Sequence, residues 1–317
     1  MKVIFMGTPD FCVEFAENIR KEHELTCIVT KPDRQRGRDH KIIFSSLKKY
    51  AINNDIPCLQ PEKTDTRDFE DCVRRLSPEI IVVVAYGRIL SGDLLGIPAG
   101  GCVNVHFSML PEYRGPDPVR RALLNGEKKT GVCTMLMDSG VDTGDILLKK
   151  AVQVEEGDDY LSLTAKLVKT GCGLMVETLE AMGSGKIEPE KQEVSKDLRA
   201  ANIVRKEEME VCWEDDAEKI FNIIRAAAGP GAWTQTCFCG KKRTLKLLKA
   251  FPPGHDDKLE KGRHAGQLLE ISKQAGMAVK CGRGFLRIAE VQEQDRRKCS
   301  AYDYICGKRL KTGDRIN

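Results

Sequence analysis

Residues 80–85 read Ile-Ile-Val-Val-Val-Ala, an unbroken apolar run, β-branched at all but its last position, with no polar side chain to turn toward water. A strand of this kind is at home where both of its faces are covered, which is the condition inside a parallel sheet flanked by helices. The residues before it supply the other elements of such a sheet. Lys2 to Met6 predicts an apolar strand that ends in Gly7-Thr8-Pro9-Asp10, and apolar periodicity predicts a helix from Phe11 to Arg20. Leu25 to Thr30 is a second strand, and helical spacing recurs over Ser45 to Asn53, Thr66 to Leu76 and Val119 to Leu124. Strands that alternate with helices indicate an α/β unit with a mostly parallel, Rossmann-like sheet. The opening strand–turn–helix lacks GxGxxG, so no dinucleotide is expected.

The stretch from Gly101 to Asp145 concentrates the candidate chemistry. Val103 and Val105 alternate with Cys102, Asn104 and His106 before a Ser, two Pro and a Gly, which predicts a short strand with His106 at its last position. In open α/β sheets the carboxyl ends of the strands form the ligand-binding edge. Some 36 residues beyond His106, Met137 to Leu147 (MDSGVDTGDIL) places three Asp among small and hydroxyl residues in a turn-rich segment. A carboxylate from that segment, best Asp142, could meet the imidazole and the Asn104 amide. Spacing alone leaves open whether the three residues share one site or serve separate structural ends.

Lys31 to Lys41 (KPDRQRGRDHK) contains five Lys or Arg in eleven residues and no apolar side chain to anchor it. Such a loop should be mobile and strongly positive, either a solvated surface or a contact for a phosphate backbone. The net charge of the chain is only +4, yet from Ala217 to the end there are 21 Lys and Arg against 10 Asp and Glu, so the preceding residues sum to −7. A basic last part joined to a weakly acidic first part suggests a polyanionic partner, with an ordinary basic surface as the alternative.

Tyr160 to Met182 has helical apolar spacing and should close the first domain, since Gly183-Ser184-Gly185 breaks it. Polar residues with Pro189 then read as an extended linker. The expected division is residues 1–185, a linker over 186–205, and a second domain over 206–317. In the last, a helix near Ala217 to Ala228 precedes short strands at Trp233 to Phe238, Thr244 to Leu248, Gln267 to Ile271, Met277 to Cys281 and Phe285 to Val291. Strands at that spacing suggest a small β-barrel. Ser300 to Asp303 resembles a capping box for a short helix ending near Gly307.

Thirteen Cys are scattered through predicted strands and helices, and the close pair Cys237 and Cys239 has no second pair at zinc-ligand spacing. Reduced, mostly buried thiols and no metal site are expected. No apolar run approaches the roughly 20 residues of a membrane span, and the first residues do not read as a signal peptide. A cytoplasmic protein without a membrane partner is expected.

Asn104 to Gly115 (NVHFSMLPEYRG) and Met137 to Leu147 resemble the signatures of the folate-dependent formyltransferases. FMGTPDF near the start, KPDRQRGR, VVVAYGRIL and the closing residues 281–314 agree in order and spacing with the branch of that family that acts on a charged tRNA. The resemblance spans nearly the whole chain. It implies a Rossmann-like formyltransferase domain with a mostly parallel sheet, followed by a small OB-like β-barrel domain that binds tRNA. It implies 10-formyltetrahydrofolate as formyl-donor cosubstrate, no metal, and initiator methionyl-tRNA as acceptor for translation initiation, with an amino sugar as the competing acceptor. A monomer is expected. By resemblance Asn104, His106 and Asp142 are catalytic. Tyr86, Gly87, Arg88, Ile89, Ser108, Met109, Leu110, Pro111 and Gly115 bind folate, and Arg34, Arg36, Arg38 and Lys41 contact tRNA. Phe107 stands where the family usually has a small residue, Phe44 where Pro is common, and Gly115-Pro116-Asp117-Pro118 replaces Gly-Ala-Ala-Pro. The segment Arg225 to Trp233 departs from the aromatic, Pro-rich form of the family.

Overall fold

The computed structural model describes residues 1–36, 41–193, 197–238, 241–254 and 264–316. It divides into two compact units. The first comprises Met1–Pro118, Lys129–Gln153 and Ala165–Asn202; the second comprises Val119–Lys128, Val154–Thr164 and Ile203–Asn317.

In chain order the first part runs β1 (Lys2–Gly7), α1 (Cys12–Glu22), β2 (Glu24–Val29), β3 (Arg34–Arg36), β4 (Lys41–Ile43), α2 (Ser46–Asn53), β5 (Cys58–Leu59), α3 (Arg67–Leu76), β6 (Ile80–Val84), α4 (Gly92–Leu95), β7 (Cys102–His106), α5 (Pro118–Leu124), β8 (Lys129–Leu136), β9 (Ile146–Gln153) and α6 (Tyr160–Gly183). Seven strands form one sheet in the order β5-β2-β1-β6-β7-β8-β9. The ladders from β5 to β7 are parallel, while β8 and β9 turn back as an antiparallel edge. β6, the β-branched run, lies in the middle with every residue buried, as two covered faces require. On one face Ile4, Met6, Ile81 and Val83 pack with Phe69 and Val73 of α3 and Leu94 of α4. On the other, Phe5 stacks on Phe15 of α1 with ring centres 6.5 Å apart. Gly171 lets α6 close down, because a Cβ there would meet Phe15 and Val105 at 3.1 and 3.3 Å.

Two expectations change here. Lys129–Leu136 and Ile146–Gln153 are long strands that the sequence reading did not anticipate. Part of the basic loop is paired, with Arg34, Gln35 and Arg36 laddered to Ile43, Ile42 and Lys41. The tip, with Arg38, lies outside the described residues. Phe107, whose effect the sequence leaves open, joins the packing around α1. Its ring packs against Phe11 and Phe15 at 5.7 and 6.4 Å, so a larger side chain is absorbed by the α1 core.

The stretch read as a free linker is extended but tied down over its described part. Ile146 and Glu190 exchange both backbone hydrogen bonds at 2.8 Å, and Ala201 donates to the Arg114 carbonyl at 2.6 Å. An extended chain leaves its N–H and C=O groups unpaired, and here the edge of the first unit pairs them.

The second unit contains α7 (Ala217–Ala226), β10 (Ala232–Phe238), β11 (Lys241–Ala250), β12 (Leu268–Ser272), β13 (Gly276–Lys280), β14 (Phe285–Glu293), β15 (Cys299–Ser300) and α8 (Ala301–Lys308). All five anticipated strands are present, with β15 in addition. They form a small antiparallel, OB-like sheet in the order β10-β11-β14-β13-β12, β15 pairing with β14. Register shifts in β11 and β12 let it bend around Leu245, Leu247, Val279 and Ile288. The Ser300 hydroxyl accepts the Asp303 N–H at 3.0 Å and caps α8. In place of the family's aromatic segment, buried Arg225 donates to Asn222 Oδ1 at 2.9 Å and lies over the Phe221 ring. Twelve cysteines lie among the described residues and all are free thiols. Burial pushes Cys12, Cys27 and Cys102 up to about 12.

Candidate active site

β7 brings Asn104 and His106 to its carboxyl end, two residues apart and therefore on the same face of the strand. The loop between β8 and β9 carries Asp142 across to them. Its carboxylate accepts the Asn104 amide at 3.3 Å through Oδ1, and Oδ2 lies 3.6 Å from His106 Nδ1. Oδ2 also accepts the Gly115 N–H at 2.8 Å. The three candidate catalytic residues thus meet in one corner.

The ring of His106 is 6% exposed, and its Nε2 lies 2.9 Å from the Tyr113 carbonyl. A carbonyl can only accept, so Nε2 carries hydrogen and Nδ1 is the atom left to exchange a proton. Tyr113 reaches this position in a left-handed backbone conformation, φ 60°. Asp142 does so as well, φ 53°, a region that Asp tolerates better than most residues.

Of the three Asp in the loop, Asp138 performs the local structural task. Its Oδ1 accepts the Gly140 N–H at 3.0 Å and the Thr143 hydroxyl at 2.7 Å. Gly144 allows the loop to return beside β8, since a Cβ there would overlap the Leu136 carbonyl at 1.8 Å. Asp142 is therefore released from turn-capping and faces the corner.

Beside the corner lies a cleft of about 100 Å³ lined by Arg88, Ile89, Leu90, Met135, Met137 and the loop from Asp138 to Asp142. Ile89 and Val141, both in this lining, expose 77% and 58% of their surface. A second, wider recess of about 470 Å³ shares Arg88, Ile89 and Leu90 and extends to Glu62 and Ser91.

The expected folate segment divides between these surfaces and the core. Arg88 and Ile89 line the cleft, and Arg88 also donates to the Pro61 carbonyl at 2.8 Å. Tyr86 is buried in the core cluster with Ile4, Met6 and Val83, where burial pushes its phenol up. Gly87 has φ 71°, and a Cβ would lie 2.8 Å from Lys31 Nζ. Ser108 is buried with its hydroxyl on the Glu112 carbonyl at 2.7 Å. Leu110 is buried with Cys133, Met135 and Ile146, and the Leu110–Pro111 bond is cis. Met109 lies against Gly131 of β8. For Ser108 and Leu110 only backbone remains to face a ligand. Gly115 touches the corner directly, and its φ of 123° and the Ala201 carbonyl 2.8 Å from a would-be Cβ explain the glycine.

At the base of the β3–β4 hairpin, Lys48 pairs with Asp33, and Gln60 donates to Asp33 Oδ1 at 3.0 Å and to the Lys31 carbonyl at 2.8 Å. Lys48 Nζ lies 4.1 Å from the centre of the Phe44 ring, an attractive use of the aromatic residue at that position. Arg34, Arg36 and Lys41 lie on the paired strands.

Sequence reasoning missed Tyr113, Arg114 and Gln192. Gln192 Nε2 donates to the carbonyls of Asp142 and Gly144, and its Oε1 accepts two bonds from Arg114. Among the described residues no group of three or more His, Cys, Asp or Glu could hold a metal ion. No described helix is long and apolar enough to cross a membrane.

Comparison with known proteins follows this division of the chain. The family model described as formyl transferase matches residues 1–179, and that described as formyl transferase, C-terminal domain, matches residues 203–309. The methionyl-tRNA formyltransferase of Caldanaerobacter subterraneus subsp. tengcongensis is 40% identical over 316 residues, covering 99% of each chain. That of Geobacter sulfurreducens is 39% identical over 318 residues, covering 100% of this chain and 96% of the relative. Among solved structures, HypX from Aquifex aeolicus in complex with tetrahydrofolic acid is similar in fold, with a TM-score of 0.66 at 17% identity over 97% of this chain and 47% of its own. Matched from end to end at that level of identity and in both of its parts, the chain belongs to the folate-dependent formyltransferase family, in the branch of the methionyl-tRNA formyltransferases.

Proposed function

We propose that the enzyme transfers the formyl group of 10-formyltetrahydrofolate to the free amino group of initiator methionyl-tRNA, for translation initiation. The observation that carries the site assignment is the meeting of Asn104, His106 and Asp142 beside a cleft with exposed aliphatic walls. The bond between N10 and the formyl carbon breaks, and a bond from that carbon to the amino nitrogen forms. The amine loses a proton and N10 gains one.

Each side chain has a task in that exchange. Asp142 uses one hydrogen of the Asn104 amide, and the second supports the oxyanion that develops on the formyl oxygen. With Nε2–H engaged by Tyr113, His106 takes and returns protons through Nδ1, and Asp142 supplies the counter-charge when Nδ1 is protonated. General acid–base help of this kind contributes about 10²–10⁴-fold. The pterin is assigned to the cleft between Ile89 and Val141, with Gly87 and Arg88 at its edge, residues 108–111 and Gly115 offering backbone, and Tyr86 supporting the segment from the core. Arg34, Arg36, Arg38 and Lys41 are assigned to tRNA phosphates. Residues 1–185 carry the chemistry, 186–205 join, and the basic residues of 206–317 add to the hold on tRNA. The reading is completed by a monomer acting in the cytoplasm.

The test supplies labelled 10-formyltetrahydrofolate with charged initiator tRNA, an amino-sugar nucleotide, or water alone. Label should enter formylmethionyl-tRNA. Label in the sugar alone would overturn the acceptor and retain the chemistry.

A further inference from the structure

The segment after α6 runs along both loops that form the catalytic corner, and Gln192 is its central tie. Its Nε2 donates to the Gly144 carbonyl at 2.6 Å and to the Asp142 carbonyl at 3.0 Å. Its Oε1 accepts Arg114 Nε at 2.9 Å and Nη2 at 2.8 Å. The amide orientation is fixed by its partners, because a guanidinium only donates and carbonyls only accept. Both hydrogens and both lone pairs of the amide are therefore used. Arg114 is flanked by Tyr113, whose carbonyl holds His106, and Gly115, whose N–H holds the Asp142 carboxylate. Farther along, the Arg199 carbonyl accepts the Tyr113 N–H at 2.7 Å.

We propose that Gln192 is a positioning residue for formyl transfer: by tying the Asp142 backbone to Arg114, it fixes the carboxylate against His106. The proposal rests on the assignment of Asp142 and His106 to the reaction. Asp142 holds a left-handed backbone conformation, and a loop in that state keeps its geometry only while its surroundings over-determine it. Besides the Asp138 turn, Gln192 supplies the side-chain hold on the loop's own carbonyls. Its loss would leave the Asp142 side chain present but free to drift, and a displacement of about 1 Å can cost about 10²-fold in rate.

Two variants separate the brace from mere packing. Gln192→Met keeps the volume and removes all four hydrogen bonds. Gln192→Glu keeps the acceptors for Arg114 and turns an oxygen toward the carbonyls of Asp142 and Gly144. In the full chain, both should lower the single-turnover rate by about 10- to 100-fold, with KM for folate and for tRNA changed by no more than about 2-fold. The decisive measurement is a cycle with Asp142→Asn. If Gln192 acts through Asp142, Gln192→Met should cost little further rate in the Asp142→Asn background. Equal losses in both backgrounds, or a near-normal rate per folded molecule in a protein with a lowered thermal midpoint, would overturn the proposal. Wild type is assayed alongside. Its failure to form formylmethionyl-tRNA would overturn the parent reading and the role built on it, whereas normal wild-type turnover with unimpaired Gln192 variants would overturn the brace alone.

Discussion

The corner at the end of β7 and the β3–β4 hairpin are both polar, but they are held in opposite ways. In the corner, Asp142 answers to Asn104 and Gly115 through its side chain and to Gln192 through its backbone, and His106 is fixed by Tyr113. Those partners come from three separate stretches of chain: β7, residues 113–115 and the segment after α6. The hairpin is joined by three residue pairs of its own ladder, and at its base Asp33 is held by Lys48 and Gln60. The contrast follows from the role proposed for each. Proton transfer fails when atoms are misplaced by a fraction of an ångström, so its groups are tied from several directions. Attraction to phosphates is long-ranged and tolerant, so the proposed tRNA contact asks less precision of the hairpin.

The sharpest break of that contrast is Asp142→Asn. It preserves shape and removes the counter-charge of Nδ1, and turnover should fall about 10²–10⁴-fold while substrate affinities and thermal midpoint stay close to wild type. A near-normal rate in a destabilised protein would instead make Asp142 a structural residue.

Replacing Arg34, Arg36 and Lys41 together with Ala should act in the opposite manner. Formylation of tRNA should weaken by about 10-fold at moderate salt, and the slope of log affinity against log salt should flatten by about 2–3, with folate binding unchanged. Titration at several salt concentrations checks this. An unchanged slope would remove the hairpin from the tRNA contact.

The smallest effect concerns the base of the hairpin. Burial pushes the Asp33 carboxyl up, but hydrogen bonds from Lys48 and Gln60 and the Lys48 charge outweigh it and hold the group below the ordinary carboxylate value. A depressed carboxylate stabilises the fold above its unfolded pKa, about 3.9, and that contribution disappears as pH falls through the lower folded value. For a partly exposed pair it is about 1 kcal/mol. Asp33→Asn should therefore lower the thermal midpoint at neutral pH, with the gap to wild type closing in acid. A gap that persisted at low pH would show that charge is not what ties the hairpin.

Legibility followed the kind of signal each region carries. Ile80 to Ala85 announces a covered strand, whereas the spacing of Asn104, His106 and Asp142 leaves their joint role open and only the resemblance of their segments to the formyltransferase signatures draws them into one candidate site. Lys129–Leu136 mixes Lys, Gly, Cys and Met, with no alternation to mark it, and its strand state comes from pairing with β7 and β9. Tyr86 enters the folate set only by the resemblance of its segment, and nothing in its local sequence shows that packing from four strands and α3 draws its ring into the core. Gln192 carries no reactive group and stands 50 positions from Asp142. Its part in the corner exists only once the chain after α6 is laid along the loops. The same holds for Tyr113, which contributes a carbonyl that any residue could offer.

The left-handed backbone at residue 142 restricts inheritance at that position as well as its geometry. Glu would keep the charge, but it adds a methylene to a corner already spanned by short contacts and enters the left-handed region less readily than Asp. Asn would accept the backbone and abandon the charge. On the role proposed for Asp142, neither conservative neighbour replaces it, and a relative of the same activity with a different residue there should carry its carboxylate on another stretch of chain.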